Sequence, residues 1–366
     1  MLYRTIGLMS GSSLDGLDIA FVELHEAGGQ WSYTLQHAET IAYTNVWSNR
    51  LKNAAQLSVY DYYLLHTQYG CWIAEQVNYF IHKHQLHHQV QLIASHGHTV
   101  LHHPAQHLTA QIGDGASIAA HTTINVVSDL RNMDVTLGGQ GAPIVPMGEQ
   151  LLFSTYDYLL NIGGIANITM RQKGIYTAFD VCPANRVLNM LATQKNLNMD
   201  VDGILASNGK CIQPLLNALN NQFYYQQPYP KSLANEFGTD VLLPIIQSFN
   251  INTEDALHTY VQHIIQQLRN AIVYANNGVI HNTPQQMLVT GGGALNKYLI
   301  QQLQKECDPL HINVTVPDSH TVQYKEALIM ALLGVLRWRE ENTTLASVTG
   351  ATRSSIGGAV WIGQEA

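Results

Sequence analysis

Charge is scarce in this chain. Asp, Glu, Lys and Arg make up 12% of its 366 residues, with a net charge of −8. Such a chain has no basic footprint, which excludes nucleic acid or an anionic membrane surface as the expected partner. With 46% hydrophobic residues, the low charge also excludes a disordered chain. Long apolar runs are missing: none approaches the ~20 residues of a membrane helix. The short apolar start runs straight into Gly and Ser, so it does not read as a signal peptide. Cysteine is rare too. Cys71, Cys182, Cys211 and Cys307 are scattered and form no CxxC, so reduced thiols and a cytoplasmic protein are expected. HExxH, GxxxxGK[ST] and GxGxxG are absent, which argues against a zinc-protease helix, a Walker loop and a Rossmann turn. Histidine, by contrast, is plentiful, and five of the 18 fall in "SHGHTVLHHPAQH". No carboxylate or thiol stands in that stretch to complete a ligand set, so no metal site is expected there. His96 and His98 read as loop imidazoles at or behind a substrate, and the others as solvated surface.

What is present is an alternation of strand and helix, in a chain long enough for two domains. Two apolar stretches, Ile6–Met9 and Leu17–Leu24, flank "SGSSLDG" as a hairpin. "WSYTLQHAETIAY" is a further strand. Ser58 to about His84 is a helix with apolar residues three or four apart. "VQLIAS" and "INVVSDL" are short strands. "YDYLLNIGGIANITM" then repeats the opening plan, and "YTAFD" continues it. Helices follow from about Ala184, around Ile212–Asn221 and over Tyr260–Ala275. "QMLVTGGGALNKYLIQQLQ" reads as strand, glycine turn and helix, "HINVTVP" as a strand, and "YKEALIMALLGVLRW" as a buried helix. The glycines and prolines of "GGQGAPIVP" place the expected boundary between residues 1–135 and 136–366, with the final helix able to pack back on the first domain.

Glycine-bearing turns leave strands at Ser10–Gly16, Gly163–Gly164 and Gly291–Gly293. On its own the first reads by default as a plain hairpin turn, and it also permits a phosphate cradle, since it offers backbone N–H groups and hydroxyls without bulk. Two like hairpins and a third turn leading into a helix favour a nucleotide held between two domains. The residues expected to line it are Gly11, Ser12, Ser13, Leu14, Asp15, Gly16, Leu17, Asp18, Gly163, Gly164, Gly291, Gly292 and Gly293.

"IGLMSGSSLDGLDIAF", "SHGHTVLHHP", "QIGDGASIAAHTTINVVSDLRNMDVTLGGQGAPIVP", "NIGGIANIT", "FDVCPAN", "VTGGGALN", "KEALIMALL" and "SVTGA" resemble the anhydro-N-acetylmuramic acid kinase family, in its order and over almost the whole chain. The resemblance implies an α/β fold of two RNase H-like (actin-like ATPase) domains around a central nucleotide cleft. It further implies ATP and Mg²⁺, a small amino-sugar substrate and a homodimer. The implied reaction opens a 1,6-anhydro sugar with water while oxygen 6 takes the γ-phosphoryl group. Because phosphorylation caps the leaving oxygen, one base for the water suffices, where a glycosidase needs two carboxylates.

Matched to the family motif, that base is Asp180; the alternative is a cap on the helix near Pro183. Substrate contacts are expected from His96, Arg131, Gln140 and Glu326. Arg131 suits a lactyl carboxylate, or else a surface ion pair with Asp129 or Asp134. Glu326 touches sugar or simply favours a helix N-terminus. The first strand has Met9 where related sugar kinases carry Asp, which leaves Asp15 or Asp18 for Mg²⁺. Three departures from the family pattern, His98 in "HGHT", Val181 and Cys182 in "FDVCPAN", and "KSLANE" over Lys231–Glu236, touch the expected sugar side. They keep open a sugar kinase of other specificity, or an ATP-binding regulatory module.

Overall fold

The computed structural model describes the chain except residues 12–13, 173–174, 229–230, 235, 277, 279–282 and 364–366. It forms two compact α/β units, Met1–Ser154 with Tyr324–Ala366, and Thr155–Gln323. The division therefore falls after Ser154 and not between 135 and 136. The glycine-rich loop does break the local pattern, but it is tied to the first unit. The Gly141 N–H donates to Asp134 over 2.8 Å, and the Gln140 N–H donates to the Thr349 carbonyl over 2.8 Å.

In the first unit the strands are β1 (Leu2–Ser10), β2 (Gly16–Ala27), β3 (Gln30–Ala42), β4 (Leu92–His103), β5 (Leu108–Ile112) and β6 (Val126–Ser128). The sheet runs β6-β4-β1-β2-β3, with a closing strand Ala359–Trp361 beyond β6 and β5 paired to β4. The β1-β2-β3 meander is antiparallel, whereas β1, β4 and β6 are mutually parallel. Helix α1 (Val59–Lys83) starts where the Ser58 hydroxyl accepts the Asp61 N–H at 3.1 Å. Its Leu65, Tyr69, Ile73 and Val77 bury against Ile6, Leu8, Leu17 and Ile19. The histidine stretch is not a loop. Residues through His103 continue β4, whose outer half is paired with β5. Polar residues on both faces there hide the period-two alternation that marks a half-buried strand.

The second unit repeats this plan. Its strands β7 (Tyr158–Ile162), β8 (Ile165–Gln172), β9 (Ile175–Pro183), β10 (Gln285–Thr290) and β11 (Ile312–Thr315) run β11-β10-β7-β8-β9. Again an antiparallel meander leads into parallel neighbours. This is the duplicated RNase H-like order. Helix α2 (Pro146–Leu152) closes the first unit's N-terminal part, and α3 (Asn185–Ala192) follows β9. Helix α4 (Thr253–Ala275) begins before Tyr260 because Asn252 caps it, accepting the Asp255 N–H at 2.7 Å. Its Leu257, Tyr260, Val261 and Ile264 are core residues. Helix α5 (Lys297–Cys307) starts later than the glycine turn implied. Gly292–Leu295 form a 3₁₀ turn, and Asn296 caps the helix proper by accepting from the Leu299 N–H.

Helix α6 (Ser319–Trp338) leaves helical geometry at Tyr324 (φ −113°, ψ 15°), where the chain re-enters the first unit. It packs directly on the sheet. A Cβ added to Gly7 of β1 would lie 1.9 Å from the Ala327 carbonyl oxygen, and one added to Gly334 would lie 2.5 Å from Ala94 Cβ. Backbone thus meets backbone where one methyl group would not fit. Gly7→Ala is expected to destabilise the protein by ~1–3 kcal/mol, the usual range for overpacking. Equilibrium urea unfolding checks this: a midpoint equal to wild type would show that α6 does not sit this close.

Candidate active site

In open α/β sheets, ligands sit beyond the carboxyl ends of the parallel strands. In the first unit the parallel pairing of β1 with β4 ends at Ser10 opposite His98, with His96 two residues before it, while Gly11 follows β1 and Arg131 follows β6. The Arg131 Nε donates to His96 Nε2 at 2.7 Å, and its Nη1 donates to the Gly141 carbonyl. An arginine keeps its protons, so His96 Nε2 must accept, and the Nδ1–H donates to the Gly97 carbonyl at 2.8 Å. His96 is therefore a neutral imidazole. Burial, then the Arg131 charge, hold its pKa down at about 3. Arg131 does not form the alternative surface ion pair with Asp129 or Asp134. Asp134 is fully buried and accepts from the Gly141 N–H and, at 2.7 Å, from the Thr349 hydroxyl.

His98 ends a second polar chain. The Tyr43 hydroxyl donates to Ser10 Oγ over 2.8 Å, and Ser10 Oγ lies 3.0 Å from His98 Nδ1. Tyr69 stands 2.5 Å behind Tyr43. With each hydroxyl donating onward, His98 Nδ1 accepts and Nε2 carries the proton. Burial holds the His98 pKa at about 4. Both imidazoles are therefore buried strand residues, not the loop residues expected from the sequence.

Asp18, opposite Met9 at the start of β2, accepts from the Thr40 hydroxyl at 2.6 Å. Burial raises its pKa to about 6 against the pull of Thr40, and the charges of Asp15 and Glu326 push the same way. Glu326 itself is raised by burial, which Lys325 and Arg131 oppose. Gln140 exposes its side chain and bonds Thr349 only through its backbone. Ser12 and Ser13 lie outside the described residues. Leu14 takes the left-handed turn conformation (φ 58°), and the Asp15 carbonyl accepts the Tyr43 N–H. Gly16, Leu17 and Asp18 are already in β2, and the Leu17 side chain belongs to the core.

In the second unit, the turns after β7 and β10 sit at the carboxyl ends of adjacent parallel strands. Gly291 needs its glycine (φ +79°), and a Cβ there would lie 2.7 Å from Asn161 Oδ1. Gly163 and Gly164 differ: an added Cβ would meet nothing closer than 3.5 Å. Their bareness serves neither packing nor backbone geometry, and it leaves room for close approach by a ligand. Asn185, which sequence reasoning did not single out, ties the start of α3 to the turn after β7. Its Nδ2 donates to the Ile162 carbonyl at 3.0 Å, and its N–H donates to the Gly163 carbonyl at 3.0 Å.

Asp180, on β9, does not cap α3. Its Oδ2 accepts the Leu233 N–H at 2.8 Å, while Oδ1 has no described donor. Burial raises its pKa, and the Leu233 bond opposes that rise. One oxygen is thus fixed and the other can take a proton. Of the neighbouring departures, Val181 and Cys182 are buried in the second unit's core.

A buried ion pair also escaped the sequence. Lys325 Nζ lies 2.8 Å from Glu149 Oε1 with both side chains nearly inaccessible. No motif announced it, because its two charges are far apart along the chain. Adjacency to Glu326 was the available clue.

A family model described as anhydro-N-acetylmuramic acid kinase matches residues 3–363. The chain is 33% identical to the anhydro-N-acetylmuramic acid kinase of Hydrogenovibrio crunogenus over 373 residues, covering 97% of each chain. It is 34% identical to that of Shewanella amazonensis over 366 residues, again covering 97% of each. Its likeness to the ADPNP-bound activator of 2-hydroxyisocaproyl-CoA dehydratase from Clostridium difficile has a TM-score of 0.45 at 14% identity, over 92% of this chain and 96% of that one. That likeness is too loose to bear an argument.

The neutral His98 has a consequence for stability. Between its unfolded pKa of about 6.5 and its folded value of about 4, the unfolded chain binds a proton that the native state refuses. Stability from this group is therefore present at neutral pH and lost as pH falls through that window, by up to about 1.4 kcal/mol per pH unit. His98→Gln removes that loss, so the stability gap between wild type and variant should narrow as pH falls from 6.5 towards 4. Parallel unfolding curves across that range would show that His98 is not held neutral.

Proposed function

The chain belongs to the anhydro-N-acetylmuramic acid kinase family, and we propose that its own residues carry out that chemistry as follows. The substrate is 1,6-anhydro-N-acetylmuramic acid from recycled cell wall. Water adds to carbon 1 and breaks its bond to oxygen 6. Oxygen 6 takes the γ-phosphoryl group of ATP, giving ADP and N-acetylmuramic acid 6-phosphate. Asp180 accepts the proton of the attacking water on Oδ1. The observation that carries this reading is the half-buried carboxylate with one oxygen fixed by the Leu233 N–H. Its raised pKa makes it a stronger base while Oδ1 has no described protein donor.

The turn from Gly11 through Asp15 and the bare Gly163–Gly164 turn receive the phosphates, and Gly291–Gly293 complete the nucleotide contacts. His96, neutral and bonded to Arg131, orients the guanidinium towards the sugar's lactyl carboxylate. Gln140 and Glu326 contribute polar contacts to the sugar. Among the described residues, no three His, Cys, Asp or Glu converge as a protein-only metal cage. The donor set instead fits Mg²⁺, which is commonly held by one or two carboxylates together with phosphates and water. Asp18 and Asp15 would hold it, and the crowding of Asp18 by Asp15 and Glu326 is charge that a cation relieves. When bound, it neutralises phosphate charge as transfer proceeds.

The working form is read as a homodimer. Val59, Tyr60 and Tyr63 at the start of α1 are 77%, 76% and 63% exposed, an apolar surface suited to a second copy. An ATP-rich, reducing compartment such as the cytoplasm suits four unpaired thiols.

Mass spectrometry after incubation with ATP, Mg²⁺ and the anhydro sugar is expected to show a product heavier by one phosphate and one water. Unchanged sugar with ATP bound would overturn the substrate assignment. Asp180→Asn should abolish turnover and leave ATP binding intact. Activity above about a tenth of wild type would remove Asp180 from the role of base, since general-base loss ordinarily costs 10²–10⁴-fold.

A further inference from the structure

We propose that Lys231 is a positioning residue for Asp180, an inference that rests on Asp180 being the base. Strand β9 is the edge of its sheet, so the outward backbone groups of Asp180 need partners from elsewhere. They find them in one stretch of chain. The Asp180 N–H donates to the Lys231 carbonyl at 3.1 Å, and the Asp180 carbonyl accepts the Tyr224 hydroxyl at 2.6 Å. The Leu233 N–H holds the carboxylate. Tyr224 and Leu233 thus grip Asp180 from two ends of one segment. The Lys231 side chain joins those ends: Nζ donates to the Tyr224 carbonyl at 3.1 Å and lies 4.6 Å from the centre of its ring. The circuit closes on Asp180 itself.

A carboxylate's basicity depends on the hydrogen bonds its charged form receives. Without the lysine side chain, the 231–233 stretch loses this tie to Tyr224. The Leu233 N–H then withdraws from Oδ2, and the carboxylate protonates more readily. Among the described residues, the titratable groups beside Asp180 besides Lys231 are Cys182 on its own strand and Tyr224 on the covering segment. Burial raises the Cys182 thiol well above its usual value, so it stays neutral.

The test compares wild type, Lys231→Met, Lys231→Arg and Asp180→Asn. The readouts are kcat and KM across pH, and ¹³C-carboxyl titration of aspartate-labelled protein, with Asp180→Asn identifying the signal. Lys231→Met is expected to lower kcat by ~10–100-fold, as small misplacements of catalytic groups do, with KM for ATP unchanged. The acidic limb of kcat and the Asp180 carboxyl midpoint should both rise, by about half a pH unit or more. Lys231→Arg should restore both, since a guanidinium can bond the same carbonyl and stack on the same ring. Should Lys231→Met fail to fold, Tyr224→Phe opens the same circuit and must move the carboxyl midpoint in the same direction. A midpoint unmoved in the folded variant overturns the proposal, whatever happens to kcat. Wild-type turnover in Asp180→Asn would instead overturn the assignment of the base, while the carboxyl titration still reports whether Lys231 positions Asp180.

Discussion

The first unit depends on the approach of α6 to Gly7, with the Ala327 carbonyl so close that a methyl group on β1 is excluded. This contact fixes the depth and register of the helix against the parallel strands. Glu326, one residue earlier, is thereby held within electrostatic reach of Arg131 and Asp18. Lys325 enters the interior, where Glu149 meets it. Removing either partner of such a buried pair typically costs ~3–5 kcal/mol, because the other charge is left uncompensated. Packing thus sets the position of the helix, and the ion pair restricts which helix will serve.

The elements that sequence exposes well are those written locally. The two hairpins, the long α1 with its Ser58 cap and the apolar α6 all follow from alternation, helical period or capping within a few residues. What escaped was written in contacts across long separations. Nothing near His96 announces that Arg131 will donate to it, and nothing near Asp134 announces Thr349. The division of the chain escaped for a related reason. The glycines and prolines of residues 138–146 resemble a linker, yet hydrogen bonds to Asp134 and Thr349 sew them into the first unit.

The candidate site was legible as motifs but not as geometry. Glycine runs marked the turns, yet only the structure separates Gly291, demanded by its backbone angle, from Gly163 and Gly164, whose bareness packing leaves unexplained. Likewise "FDVCPAN" looked altered on the substrate side. A register shift between Asp180 and Cys182 instead interrupts the alternation, and both Val181 and Cys182 are buried in the hydrophobic interior. Side-chain direction along an edge strand decides which departures from a pattern matter chemically.

The interruption of the first unit by the second has a bearing on synthesis. A chain emerging from the ribosome presents β1 through β6 first, but the helix that covers Gly7 and Ala94 is made only after the whole of the second unit. The middle unit has all of its strands and can complete its core while the earlier sheet still lacks one of its two coverings. That bare face, rather than any surface of the finished protein, is where a nascent-chain chaperone would find apolar strand to shield.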